Sequence, residues 1–264
     1  MKPSSLPASP APGFARRFLP VWALGLVGVA ALLLQPLPPA LLASAPALRE
    51  LPPVLVRLLV LLNPLLLLTA MAAIGAACAP RVGLRSALAG DALARLDART
   101  ALAVGAALAV VIAVVDAALA PWLGADWQQV VAQADAAPWL PALLLGVLYG
   151  GITEEVVMRW GLMAQVAWGA MAVQRRVRGG SPGQPSALVA WLAIAVAAAV
   201  FALGHLPALA QSLELSAPVV ARTLGLNLLA GIAYGWLFWR RSLETAMLAH
   251  ATTHVGFALA RWVG

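Results

Sequence analysis

The 264-residue chain is 62% hydrophobic and 10% charged, where an ordinary soluble domain is about 25% charged. Its mean hydropathy of +0.91 is more apolar surface than one soluble core can hide, which excludes a soluble globular enzyme, a disordered chain and a disulfide scaffold. The composition points to an all-α fold, a polytopic transmembrane helix bundle. The net charge of +7 and the sequence pI of about 11.2 do not signal nucleic acid, because the basic residues sit in short clusters between apolar stretches. Cys78, the single cysteine, lies at the end of an apolar stretch and reads as a small buried hydrophobe.

A span needs about 20 apolar residues. Seven segments qualify, within a range of six to eight: Phe18–Leu34, Pro53–Ala79, Ala101–Leu123, Pro138–Val173, Ala187–Ala210, Val219–Trp239 and Ala246–Val263. Residues 1–17, with four prolines in the first 13, read as a disordered tail. Ala43-Ser44-Ala45 resembles a signal-peptide cleavage site, but Pro46 follows it and the apolar run is long, so the first span is expected to stay uncleaved. Pro138–Val173 exceeds one simple crossing. It reads as a kinked helix, a helix with a cytoplasmic extension, or two elements broken near Gly150-Gly151. No internal repeat is visible that would argue for an inverted-repeat transporter.

Basic residues set the orientation. Lys2, Arg16 and Arg17 precede span one. Arg81, Arg85, Arg95 and Arg99 separate spans two and three. Arg175, Arg176 and Arg178 follow span four, and Arg240 and Arg241 follow span six. These alternate loops share one side, whereas the opposite loops hold Arg49, Glu50, Asp126, Asp135 and Glu214. The positive-inside rule places the N-terminus in the cytoplasm and, with seven spans, the C-terminus outside. The Gly/Pro/Arg-rich stretch Arg175–Ser186 reads as a flexible cytoplasmic connector. All basic residues but Lys2 are arginine and the chain is rich in alanine, a composition that suits a GC-rich bacterium and so a bacterial inner membrane.

Ionisable groups inside spans are costly and are functional candidates by default. Here they are Asp116, Glu154, Glu155, Arg159, His205, His250 and His254. Asp116 reads as a kink or interhelical hydrogen bond, and Arg57, Arg222 and Arg261 lie where they can snorkel to the interface. Adjacent carboxylates repel unless one is neutralised. Glu155 and Arg159 are four apart and share a helix face, so they can pair and leave Glu154 about 100° away as a general base. The same residues also suit a buried ion pair that only fixes helix packing. His250 and His254 share a face by the same spacing. Three histidines and a Glu pair in apolar surroundings suggest one converging site.

Glu154-Glu155-x-x-x-Arg159, Phe201-x-x-x-His205 and His250-x-x-x-His254, in that order on separate helices, resemble the EExxxR, FxxxH and HxxxN motifs of the CPBP intramembrane proteases, the CAAX-protease or Abi family. Ser242-Leu243 resembles the family's usual lead-in. The resemblance covers about Leu143 to Phe257. It implies a catalytic membrane domain over 138–263, behind N-terminal helices 18–135 of unknown role. It implies an intramembrane endopeptidase acting on membrane-associated or C-terminal peptide substrates. Glu154 and His205 would activate a water, and His250 and His254 would hold the oxyanion. Glu155, Arg159 and Phe201 would support them. His254 departs from the family's usual Asn. No cofactor is needed on that scheme; the alternative is zinc on Glu154, His205, His250 and His254, an acceptable donor set although no HExxH is present. The competing functions are a non-proteolytic relative, such as a bacteriocin-immunity or maturation partner, and a transporter or proton relay. The partners expected are a protein or peptide substrate and the bilayer, without nucleic acid.

One spacing disagrees with this scheme. His250 follows Arg241 by nine residues, about 14 Å of helix, whereas His205 follows Ala187 by eighteen, about 27 Å. Both helices start on the cytoplasmic side, so the two rings meet only if one helix projects or tilts.

Overall fold

The computed structural model describes residues 12–37, 39–178 and 185–263. Among them every regular element is helical. The chain runs through α1 (Phe14–Ala31), α2 (Pro39–Ser44), α3 (Pro53–Cys78), α4 (Ala98–Leu119), α5 (Ala125–Ala136) and α6 (Trp139–Leu145). Two π-helical stretches, Gly146–Glu154 and Val156–Met163, lead into α7 (Ala164–Arg178). The chain closes with α8 (Ala187–Gly204), α9 (Leu206–Leu209), α10 (Ala217–Arg240) and α11 (Leu243–Val263).

Among the described residues six helices are long and apolar enough to cross a membrane. Their outward faces are apolar, with Leu66, Val110 and Val114 each at least 60% exposed, as lipid-facing surfaces require. The chain is therefore built as a multi-pass membrane protein. The seventh long helix, α11, is not among the six. Glu244, two histidines, three threonines and Arg261 dilute its apolar character, because it turns its polar face inward. It still packs tightly along α4, where a Cβ on Gly256 would meet the Cβ of Ala109.

Helix α1 begins four residues earlier than expected, so residues 14–17 belong to it and not to a tail. Phe14, Phe18 and Trp22 stack at 5.9 Å steps, and Arg17 Nε donates to the Ala76 carbonyl near the end of α3 at 2.9 Å. Both contacts favour helix over coil there. Residues 1–11 lie outside the described residues.

The fourth span is not broken at Gly150-Gly151. Trp139–Val177 is one continuous helix, roughly 55 Å long and well beyond a hydrocarbon core of about 30 Å. Its backbone widens to π-type hydrogen bonding between Gly146 and Met163 instead of breaking. Arg175, Arg176 and Arg178 lie on α7 and not in a connector; residues 179–184 of the expected connector lie outside the described residues.

The α10–α11 turn accounts for the spacing of the histidines. It is tucked beneath the segment between Val82 and Ala98. Ser242 and Leu243 have no exposure and Ser86 has 1%. Leu243 donates its backbone N–H to Arg85 O, and Ser86 Oγ donates to Glu244 Oε1 at 2.6 Å. Helix α11 thus starts inside the bundle, below a layer of chain, while α8 starts beside α7. Counting residues from the two helix starts does not measure the same depth.

The bundle has two unlike ends. Arg81, Arg85, Arg95, Arg175, Arg176, Arg240 and Arg241 gather where α3, α7 and α10 finish. The other end carries α2, α5, α9 and few cations.

Candidate active site

The π-helical stretch sits at the centre of the bundle and is pinned from three sides. Thr153 Oγ1 donates to Gly25 O of α1 at 2.7 Å. Trp160 Nε1 donates to Ala72 O of α3 at 3.3 Å. Gly146, Gly150 and Gly151 let α11 lie against it: a Cβ on Gly150 would stand 2.6 Å from His254 Nε2, and one on Gly151 would stand 2.9 Å from Ala251 Cβ. Glycine here serves close approach, since none of the three has positive φ. π-helical geometry is rare and frequently marks functional sites.

Glu155 and Arg159 are fully buried. Arg159 Nε stands 3.3 Å from Glu155 Oε2. The guanidinium carbon lies 4.8 Å from the Phe201 ring centroid and 5.4 Å from that of Tyr234, so two aromatic faces supply cation–π contact where water is excluded. The second carboxylate oxygen, Glu155 Oε1, is 2.9 Å from His250 Nδ1. One carboxylate therefore serves both an arginine and a histidine. Glu154, one residue earlier, turns away and lines a cavity of about 410 Å³ together with His205, His250 and His254.

The hydrogen bonds fix the imidazole tautomers. The Phe201 carbonyl can only accept, so His205 Nδ1, 2.7 Å away, donates to it. As a carboxylate paired with Arg159, Glu155 accepts from His250 Nδ1 in the same way. In neutral rings both Nε2 atoms are then left with lone pairs. His254 stacks on His250 with centroids 5.1 Å apart, and among the described residues no polar side chain fixes its tautomer.

The expected residues thus converge, and others join them that sequence reasoning did not pick out. Tyr234 stacks on His250 at 4.4 Å and donates its hydroxyl to Thr253 Oγ1 at 2.8 Å. Tyr149 and Asn227 line the cavity. Asn227 spends one N–H on Thr223 O at 2.8 Å, which leaves its second for the cavity. Asn227 and Tyr234 are seven apart on α10 and so share a face; that spacing was the available signal.

Asp116 makes an interhelical contact, as its position suggested, and the contact is charged. Arg222 Nε and Nη2 meet its two oxygens at 2.7 and 2.6 Å. Arg222 therefore does not snorkel. It joins α10 to α4 at the cavity wall and lies 4.4 Å over the Trp127 ring of α5. Arg57 and Arg261, near the ends of α3 and α11, donate to carbonyls at Leu33 and at Ala134–Ala137.

Two Nε2 lone pairs and a carboxylate are donors that zinc accepts. Among the described residues, however, no three of His, Cys, Asp and Glu are grouped so as to hold one ion. Zinc shared by Glu154, His205, His250 and His254 does not fit this arrangement.

No curated protein and no solved structure is significantly similar to the chain. Residues 136–256 match the family model described as Rce1-like, type II CAAX prenyl endopeptidase Rce1-like. That stretch contains every residue just placed around the cavity except those of α4, α5 and Phe257. The chain accordingly carries, at residues 136–256, an Rce1-like domain of the CPBP (CAAX-protease) family.

Proposed function

We propose that the protein is an intramembrane endopeptidase that hydrolyses a peptide bond in a membrane-associated substrate with a water activated by Glu154. The observation that carries this reading is the division between two adjacent carboxylates. Glu155 is consumed by Arg159 and His250, while Glu154 faces the cavity and makes no ion pair with a cation among the described residues. One is structural and the other is available for proton transfer.

In the reaction, Glu154 takes a proton from water as the water oxygen bonds to the scissile carbonyl carbon. The carbonyl π-electrons move to oxygen. The C–N bond then breaks, and Glu154 returns the proton to the departing amine. His205 Nε2, a lone pair in the neutral ring, orients the water by accepting its second hydrogen. His254 and the free N–H of Asn227 face the developing oxyanion. His250 donates to that oxygen only as an imidazolium, a charge for which Glu155 is the counter-ion. Residues 138–263 form the catalytic part, and 18–135 buttress it, with Ile112 of α4 contributing to the wall. The setting is the bacterial cell membrane, with the N-terminus cytoplasmic.

The test is cleavage by the purified protein in proteoliposomes of a panel of membrane-anchored peptide tails, with products identified by mass spectrometry. New peptide termini that appear with the protein support the reading. Intact substrates across the panel, from a protein shown to be folded, would refute it.

A further inference from the structure

At the arginine-rich end of the bundle, four arginines from three elements converge around the Ser242-Leu243 turn. Arg85 and Arg95 belong to the covering segment, and their backbone carbonyls accept from the Leu243 N–H and from Ser242 Oγ at 3.0 and 3.1 Å. Arg240 ends α10 just before the turn. Arg99 lies in the first turn of α4, which is tied to the same place because Asp97 accepts from Arg241 Nε at 2.8 Å. The acids of this end are already occupied. Asp97 is taken by Arg241 and Thr100, Asp91 accepts from the Leu93 N–H, and Glu244 Oε1 accepts from Ser86 and Leu88. Among the described residues Arg85, Arg95, Arg99 and Arg240 make no ion pair.

The same segment turns leucines outward. Leu93 is 69% exposed and Leu96 53%, interleaved with Arg95 and Arg99, and the membrane-spanning α4 begins directly after them at Ala98. Exposed leucines beside the start of a span lie where headgroups meet acyl chains, and a guanidinium grips a phosphate through paired N–H groups. A soluble anion would use the arginines and leave the leucines in water, whereas a phospholipid uses both. Four unpaired cations favour a headgroup of net negative charge over a zwitterionic one. We infer that this surface binds an anionic phospholipid, with the phosphate on Arg85, Arg95, Arg99 and Arg240 and the acyl chains against Leu93 and Leu96. A lipid held in this way bridges the covering segment to α4 and α10. It thereby clamps the turn from which α11 carries His250 and His254 into the bundle. The inference does not depend on the proteolytic reading.

The test uses the full chain in phosphatidylcholine nanodiscs, with or without phosphatidylglycerol of the same acyl chains. Two quantities are read: amide hydrogen exchange of residues 83–97, and the lipid that the protein retains in native mass spectrometry. Phosphatidylglycerol is expected to slow exchange in 83–97 by about tenfold or more and to be retained in preference to phosphatidylcholine. Both effects should vanish in the triple variant Arg85→Gln, Arg95→Gln, Arg99→Gln. They should persist in the double variant Arg175→Gln, Arg176→Gln, which removes charge from the same end of the bundle but on α7. Arg95→Gln and Arg99→Gln alone, both at exposed side chains, should each weaken retention and carry the comparison if the triple variant does not fold. Inorganic phosphate added to phosphatidylcholine nanodiscs should give no protection. Unchanged exchange or no preference for phosphatidylglycerol in the wild type would overturn the proposal. So would an equal loss in the α7 variant, which is the mark of general surface charge, or the same protection from inorganic phosphate, which would make the ligand a soluble anion.

Discussion

Replacing Glu155 by Gln should destabilise the fold far more than replacing Glu154. Glu155 has no exposure, and neither does Arg159, 3.3 Å away. Glutamine keeps the shape but leaves the guanidinium buried without a counter-charge, and it weakens the bond to His250 Nδ1 at 2.9 Å. Orphaning one member of a fully buried ion pair costs about 3–5 kcal/mol. The two aromatic faces on Arg159 each return about 1–2 kcal/mol at most, but they are present in both forms and do not change the difference. At roughly 3 °C per kcal/mol for a chain of this size, Tm in detergent should fall by about 10 °C. Arg159→Met in the same background should recover much of that loss, since the orphaned charge is then gone. A Glu155→Gln protein whose Tm falls by less than about 2 °C, or a double variant less stable than the single one, would refute the reasoning.

The remaining predictions concern the neighbours of that carboxylate. His254→Asn keeps a neutral N–H donor and should retain most activity, whereas His254→Leu should lose about 10²–10³-fold in kcat, the usual cost of one oxyanion donor; equal loss in both would remove His254 from that role. Gly150→Ala puts a methyl 2.6 Å from His254 Nε2 and should lower kcat/KM by about 10²-fold through displacement of the ring, while Gly169→Ala, with nothing within 4 Å of the added atom, should leave activity unchanged and Tm equal or higher. Outside the membrane, Asp97 caps α4 through Thr100, and that hydrogen bond, with Arg241 in a lesser part, holds its carboxyl below the ordinary carboxylate value. Its contribution to stability is therefore present above that value, about 3.9, and is lost as pH falls through the lower folded value. Thermal unfolding between pH 6 and 3 should show a loss in the wild type that is smaller in Asp97→Asn; identical pH profiles would remove Asp97 as a cause.

Much of the architecture was legible because lipid leaves few options. Apolar length alone marks α1, α3, α4, α8 and α10, and i,i+4 spacing brings Glu155 to Arg159 and His250 to His254. Less visible were features decided by contacts across the chain. The π widening at Gly146–Met163 preserves the local apolar pattern, so the sequence allowed a break as readily as a bulge. The depth of α11 depends on a segment 158 residues away, through Ser86 and Glu244. Arg222 reads as an interfacial cation until Asp116 is placed beside it on another helix. The bond from Glu155 to His250 also crosses helices, and without it the tautomer of His250, and so its need for a proton before it can serve an oxyanion, has no basis in spacing.

The central claim is that Glu154 is the proton acceptor and Glu155 is not. It is tested most directly by kcat/KM for a cleaved tail in proteoliposomes, measured for wild type and Glu154→Gln at matched amounts of folded protein. Gln keeps size and polarity without basicity, so activity should fall by about 10²–10⁴-fold while Tm stays within a few degrees of wild type. Glu154→Gln with activity within threefold of wild type would contradict the account.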